Sequence, residues 1–212
     1  TVSSTLAGVQ VLFDGIAGTP TYVSPTQINV VVPWEIAGRT STNVVVSYNN
    51  VASQSISEQV VSVAPGIFTQ NATGSGQAAA VNLSPSAASV YNGPAGQNYP
   101  GTTTAMAPAP AGSAIALYLT GGGVTSPVGV TGSINPSAAL PLANWTVGSS
   151  VVTATIGGQP ATVLYAGAAP TLITGVVQIN LQVPSGVSGS ALPVTVTIDG
   201  VKTTGAAAVA VQ

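Results

Sequence analysis

The chain contains neither cysteine nor histidine in its 212 residues. Disulfides and thiolate chemistry are therefore excluded, and the usual ligand sets for zinc, copper or haem are missing, so no cofactor is expected. Charge is nearly as scarce. Asp14, Glu35, Arg39, Glu58, Asp199 and Lys202 supply all of it, 3% of the residues. Between Glu58 and Asp199 the only ionisable side chains are tyrosines. This leaves no basic footprint for nucleic acid and no polybasic patch for a membrane surface. The longest apolar runs, such as "SAIALYL" from Ser113, fall well short of the roughly 18 residues a membrane-spanning helix needs. No charged n-region or apolar h-region opens the sequence at "TVSSTLAG". An exported chain would have lost its signal already. Acid unfolding mostly works by protonating paired carboxylates or charging buried histidines. With four carboxylates and no histidine, the fold is expected to be nearly indifferent to pH from about 2 to 9.

What the sequence does contain is 45% hydrophobic residues, enough to build a core, and an internal duplication. "TQINVVVPWEIAG" from Thr26 is echoed by "VQINLQVPSGVSG" from Val177. The echo extends in both directions. "FDGIAGTPTY" (13–22) matches "IGGQPATVLY" (156–165), and "VVVSYNNV" (44–51) matches "VTVTIDGV" (194–201). Each copy closes on a run of small apolar residues, "EQVVSVAPG" and "AAAVAVQ". The second copy carries an insertion, "AGAAPTLITGV", before its QIN.

Each copy reads as all-β. Val194, Val196 and Ile198 alternate with Thr195 and Thr197, the period-2 pattern of a half-buried strand. Asp199-Gly200, Asn49-Asn50 and Gly157-Gly158 suit two-residue hairpin turns, whose central positions need positive φ. No stretch shows helical periodicity with caps. Short strands punctuated by Gly, Pro and Asn predict two tandem β-sandwiches. The boundaries expected are 1–68 for an N-terminal sandwich and 69–212 for a C-terminal one. The second includes a long Pro/Ala/Ser/Thr-rich surface loop at 84–112. Two further strand candidates, "GQAAAVNL" and "SAIALYLTGGG", would open the second sandwich. The first copy has no counterpart, so it is expected to lack its first strands.

Few residues suggest a chemistry. Asp14 and Asp199 adjoin glycine in turn contexts, where aspartate is ordinary. Glu35 and Arg39 are spaced for a local ion pair, and Glu58 opens a strand. A paired-carboxylate hydrolase is the weakest reading, and no catalytic residue is assigned. "GGG" at 121–123 lacks the lysine and helix of a phosphate loop. The amides Gln27 and Asn29, with Gln178 and Asn180, read as the outward face of a strand that proline then ends; the alternative is an amide pair for sugar hydroxyls. Asn71, Asn82 and Asn144 head N-glycosylation sequons, and Thr102, Thr103 and Thr104 beside "APAPAG" resemble an O-glycosylation substrate. Trp34, Tyr91, Tyr99 and Trp145 are candidates either for packing or for stacking on carbohydrate.

"YVSPTQINVVVP", "VAPGIFT", "GQAAAVN", "IALYLTGGG", "IGGQPATVLYAG" and "VQINLQVP" occur in this order. The string resembles the immunoglobulin-like C-terminal domain found in many secreted proteins of acidobacteria, over nearly the whole chain. The resemblance implies tandem immunoglobulin-like β-sandwiches, export and an extracellular or cell-surface location. It brings no catalytic residue with it.

Soluble β-proteins guard edge strands with lysines, inward charges, prolines or bulges. That protection is nearly missing here, so the edges are either covered or used. The expected function is a secreted structural subunit that polymerises head to tail into a filament or surface layer by β-strand complementation. The candidate assembly strand is Gly205, Ala206, Ala207, Ala208, Val209, Ala210, Val211 and Gln212. The other reading of these residues is the last strand of their own sandwich, with 1–8 or the central loop as donor. The alternative function is an adhesin-like module binding polysaccharide.

Overall fold

A computed structural model describes residues 1–84, 90–146, 148–149 and 151–212. The chain is all-β, in several sheets compatible with β-sandwich packing, and no α-helix occurs among the described residues. It divides into two compact units.

Unit 1 comprises Thr1–Ser62, Gly123–Ala143 and Ala168–Gly175. Its strands are β1 (Val9–Phe13), β2 (Ile16–Ala17), β3 (Thr19–Val23), β4 (Ile28–Val31), β5 (Ser41–Tyr48), β6 (Val51–Ala52) and β7 (Ile56–Gln59). A 3₁₀ turn at Trp34–Ile36 follows Pro33, which ends β4 because its nitrogen has no hydrogen to donate. One sheet runs β2-β1-β5-β6, with β7 also on β5; β3 and β4 form a second, two-stranded sheet. Val9, Val11, Phe13 and Ile36 make the buried centre, and Ile28 and Val30 of β4 pack against it beside Val44 and Val46 of β5.

Unit 2 comprises Val63–Gly122, Asn144–Gly167 and Val176–Gln212. Its strands are β8 (Gly66–Ile67), β9 (Ser75–Gln77), β10 (Ala80–Asn82), β11 (Ala114–Thr120), β12 (Val152–Ile156), β13 (Gln159–Ala168), β14 (Val177–Gln182), β15 (Gly189–Ile198), β16 (Val201–Lys202) and β17 (Ala206–Val211). The order is β10-β11-β14-β13-β12-β15-β17-β9, with β16 on β15 and β8 on β11. Only Ala78 and Ala79 separate β9 from β10, so one stretch of chain joins the two ends of this order. The core is aliphatic and complete: Ile115, Leu117, Leu119, Ile156, Ile179 and Leu181 are all at 0% exposure.

The duplication is visible in the ladders. β1 pairs β5 with Val9 opposite Tyr48 and Phe13 opposite Val44. β12 pairs β15 with Val152 opposite Ile198 and Ile156 opposite Val194, the aligned positions. The hairpins follow suit, Tyr48 facing Val51 and Ile198 facing Val201. Their central residues all have positive φ: Asn49, Asn50, Asp199 and Gly200. The copies diverge at the last strand. Thr42 faces Glu58 in the first copy, but Leu192 faces Val209 rather than Ala208 in the second. A one-residue slip turns each side chain to the opposite face of the sheet.

The partition differs from the expected boundary at 68/69. Residues 123–143 and 168–175 join the first unit, and the second includes 63–68. The physical reason lies in polar anchors. Buried Asn135 donates its amide to the carbonyl of Ala169, 2.9 Å, and so holds the inserted segment. The Trp34 indole N–H donates to Thr174 Oγ1 at 3.0 Å, and the Trp34 backbone N–H to Thr131 Oγ1 at 2.9 Å.

The stretch expected as a surface loop at 84–112 is only partly one. Residues 85–89 lie outside the described residues, and 95–105 are mostly exposed. Its flanks are not: Asn92, Gly93, Met106, Ala107 and Ala109 are buried. Small side chains and the Asn92 amide allow this proline-rich chain to lie beside β17.

Candidate functional site

The feature that separates the two copies is the outer edge of β4. In unit 2 its counterpart β14 lies between β13 and β11. β11 covers all of β14, from Ala114 opposite Gln182 to Leu119 opposite Val177. β4 pairs with β3 alone. Among the described residues no strand takes up its second edge. The cost shows in burial. Ile179 and Leu181 are at 0% exposure, whereas the aligned Ile28 and Val30 are half-buried, and Val32 just beyond β4 is 49% exposed. No charged residue falls between Asp14 and Glu35, so no charge guards the edge. β4 is nonetheless only 4 residues long, is ended by Pro33 and pairs β3 through an irregular register between Pro20 and Tyr22.

The QIN phrase is explained by strand geometry. Residues two apart in a strand share a face. Gln27 donates to Asn29 Oδ1 at 2.7 Å, and Gln178 to Asn180 Oδ1 at 2.8 Å. The amides pair with each other on the face away from Ile28 and Ile179.

The candidate assembly strand from Gly205 to Gln212 is occupied within its own chain. β15 pairs one edge of β17, and β9 runs parallel to the other through Ala206, Ala207 and Ala208. Past β9, Asn92 Nδ2 donates to the Ala210 carbonyl (2.8 Å) and Asn92 Oδ1 accepts the Ala210 N–H (2.9 Å). Ala109 then bonds Ala210 and Gln212. Ala207, Val209, Ala210 and Val211 are buried. The alternative reading, the last strand of its own sheet, describes this structure.

The charged residues are arranged differently from the sequence expectation. Arg39 pairs with Asp14, Nη1 to Oδ2 at 2.8 Å, and not with Glu35. Glu35 follows Trp34 into the 3₁₀ turn and accepts Thr131 Oγ1 at 2.7 Å. Asp14 also accepts the backbone N–H of Asn43 at 3.0 Å, and this bond leads the causes that hold its carboxyl below the ordinary range. Glu58 lies on exposed β7 and Asp199 in its hairpin. The triple glycine is a packing device: Gly121 has φ +68, and a Cβ there would run into the Ala64 carbonyl.

Two of the three sequons are open. Asn71 and Asn144 are exposed. Asn71 Oδ1 accepts hydrogen bonds from Thr69 Oγ1 and Thr73 Oγ1 at 2.8 and 2.9 Å. Asn82 is 5% exposed and its nitrogen donates to the Ala107 carbonyl, which leaves no room for a glycan. Thr102, Thr103 and Thr104 lie at the exposed tip of 95–105. Of the aromatics, Trp145 is buried at 9% against Tyr165, edge to face at 6.1 Å, and Trp34 is half-buried. Tyr91 and Tyr99 stack at 4.4 Å beside the threonine tip. The pairing of Asn92 with β17 had no sequence signal, since Asn92-Gly93 reads as a turn.

No family model matches the chain, and no curated protein or solved structure matches it either.

Proposed function

We propose that this chain is an extracellular structural subunit, built from two immunoglobulin-like sandwiches, that polymerises by strand complementation. The observation that carries this reading is the bare edge of β4 beside a repeat in which the same edge is filled. In immunoglobulin lettering, β10-β11-β14-β13 corresponds to A-B-E-D and β12-β15-β17 to C-F-G. Among the described residues the first copy then holds counterparts of C, D, E, F and G, and none of A or B pairs with β4. An incomplete sandwich with one open edge is the acceptor half of a donor-strand contact. The sparse charge supports the same reading, because the edge meets no like-charge repulsion. The resemblance to the secreted acidobacterial domain is consistent with an extracellular location and a non-catalytic role.

Negative-stain electron microscopy of native material tests this. Fibres or sheets with a regular subunit repeat are the expected outcome. Dispersed single particles across a wide concentration range would end the structural reading.

The half-buried Tyr91–Tyr99 stack beside the exposed threonines favours a second reading, a module binding polysaccharide. It predicts a monomer retained on a polysaccharide column, with retention lost in Tyr99→Ala.

A further inference from the structure

We infer that Tyr91 and Tyr99 form an oxidative cross-linking site, at which an oxidant of the peroxidase class joins the two rings into dityrosine. The modification requires neither polymerisation nor carbohydrate binding.

The two rings stack with centroids 4.4 Å apart and planes 28° from parallel, just below the ~4.5–7 Å that aromatic pairs usually keep. Their backbones are fixed by bonds outside the stack. Asn82 N–H donates to the Val90 carbonyl at 2.7 Å and Asn92 N–H to the Ala80 carbonyl at 3.1 Å, which seats Tyr91 opposite Val81 of β10. The Tyr91 carbonyl also accepts Ala107 N–H at 3.0 Å. Tyr99 stands in the hairpin where Asn98 faces Ala105. Its N–H donates to the Thr104 carbonyl at 2.9 Å, and its carbonyl accepts Thr102 N–H at 3.0 Å. The Met106 N–H on the Gln97 carbonyl, 2.8 Å, ties that hairpin back to the buried flank.

Both rings are half-buried, whereas residues 95–98 and 100–105 around them are exposed. An oxidant can reach the ring edges while one face of each ring is taken by the other. The remaining tyrosines are placed differently. Tyr22 and Tyr48 are 49% and 57% exposed, Tyr118 is half-buried, and Tyr165 meets Trp145 edge to face at 6.1 Å. Sulfur that would divert oxidation is scarce: cysteine is absent, and the one methionine, Met106, is 5% exposed.

The reaction balances with hydrogen peroxide as the terminal acceptor. Each phenol gives up one electron and its proton, leaving a phenoxyl radical whose spin is shared with the ring carbons beside the oxygen. One such carbon of Tyr91 bonds to its counterpart in Tyr99. The hydrogens on those two carbons move to the oxygens, which restores both aromatic rings. The chain loses two electrons and two protons, and one peroxide becomes two waters. Holding the rings together makes the coupling step unimolecular, so it outruns coupling between chains. The product closes a loop over residues 92–98 and staples the exposed tip to the chain beside β10, a disulfide's work in a chain without cysteine.

Treatment of the intact chain with a haem peroxidase and hydrogen peroxide tests this. The monomer is expected to lose the mass of two hydrogens and to gain blue dityrosine fluorescence. A chain then cut once between residues 92 and 98 should stay in one piece under denaturing conditions. Tyr99→Phe keeps a stacking ring and removes one phenol, so the monomer product should fall about tenfold or more while the circular dichroism spectrum is unchanged. Tyr48→Phe should leave the product intact. Dityrosine found only between chains, a monomer product that survives in Tyr99→Phe, or no dityrosine at all would each overturn the assignment. The cross-link is read on denatured peptides, so the result stands apart from whether the chain polymerises.

Discussion

Asn92 pairs with Ala210 through both hydrogen-bonding groups of its side-chain amide, one bond to the carbonyl and one from the N–H. The amide thus does for β17 what a neighbouring strand would do. It also donates to Asn82 Oδ1, at 3.0 Å, linking β17 to β10 in a buried site.

Replacing Asn92 with alanine strands the Ala210 N–H in the interior and removes a bond from Asn82. Each buried polar group left unpaired costs about 1–3 kcal/mol, so the expected loss for unit 2 is roughly 3 kcal/mol or more. Urea unfolding measures it. Asn98→Ala, at the exposed tip, should stay within about 0.5 kcal/mol.

Gly121→Ala tests the close approach of two backbones. The φ of +68 disfavours any side chain, and the new Cβ meets the Ala64 carbonyl, which is bonded back to Gly121 through the Ala64 N–H at 2.8 Å. A loss of about 2–4 kcal/mol is expected. Gly96→Ala, with positive φ but open space, should cost only about 1 kcal/mol.

The dependence on pH has two weak limbs and a flat centre. Asp14 is held below the ordinary carboxylate range, chiefly by the Asn43 N–H. Its stabilisation is therefore present above the unfolded carboxylate's range and is lost as the pH falls through the folded value. As a surface carboxylate screened by solvent, it contributes a small step. Burial pushes the Tyr118 phenol up, so its contribution is complete below the pKa of an unfolded tyrosine, about 10, and is lost above it. Melting temperature should be level from about pH 4 to 9, decline gently in acid and fall in alkali. Tyr118→Phe should flatten the alkaline limb, and Asp14→Asn the acidic one.

If native material carries N-linked sugar, peptide mapping should find it on Asn71 or Asn144 and never on Asn82. A glycan on Asn82 would mean that the modification precedes folding and that the amide cluster around Asn92 does not form as described.

Much of the local structure was legible in the residues. The alternation of Val194, Val196 and Ile198, the hairpins at Asn49-Asn50 and Asp199-Gly200, and the paired QIN strands follow from period-2 burial and turn chemistry. These depend on neighbours in sequence, and the duplication supplied a second instance of each.

Other features depended on contacts between distant parts of the chain. Arg39 chose Asp14 over the nearer Glu35 because β1 and the chain after the 3₁₀ turn meet in space. The inserted 168–175 returned to the first unit because Asn135 and Trp34 offered it polar anchors, and no local pattern marks an insertion's destination. A sequence rich in Pro, Ala and Thr looks like loop wherever it falls, yet the flanks of 90–110 are buried beside β17. The sequence by itself determined strands, turns and repeat, because those are set by propensity and by the alternation of side chains. Tertiary structure alone decided which edges were closed, because an edge is closed only by a backbone that arrives from elsewhere. Asn92 closes the edge of β17. Among the described residues no strand closes the outer edge of β4.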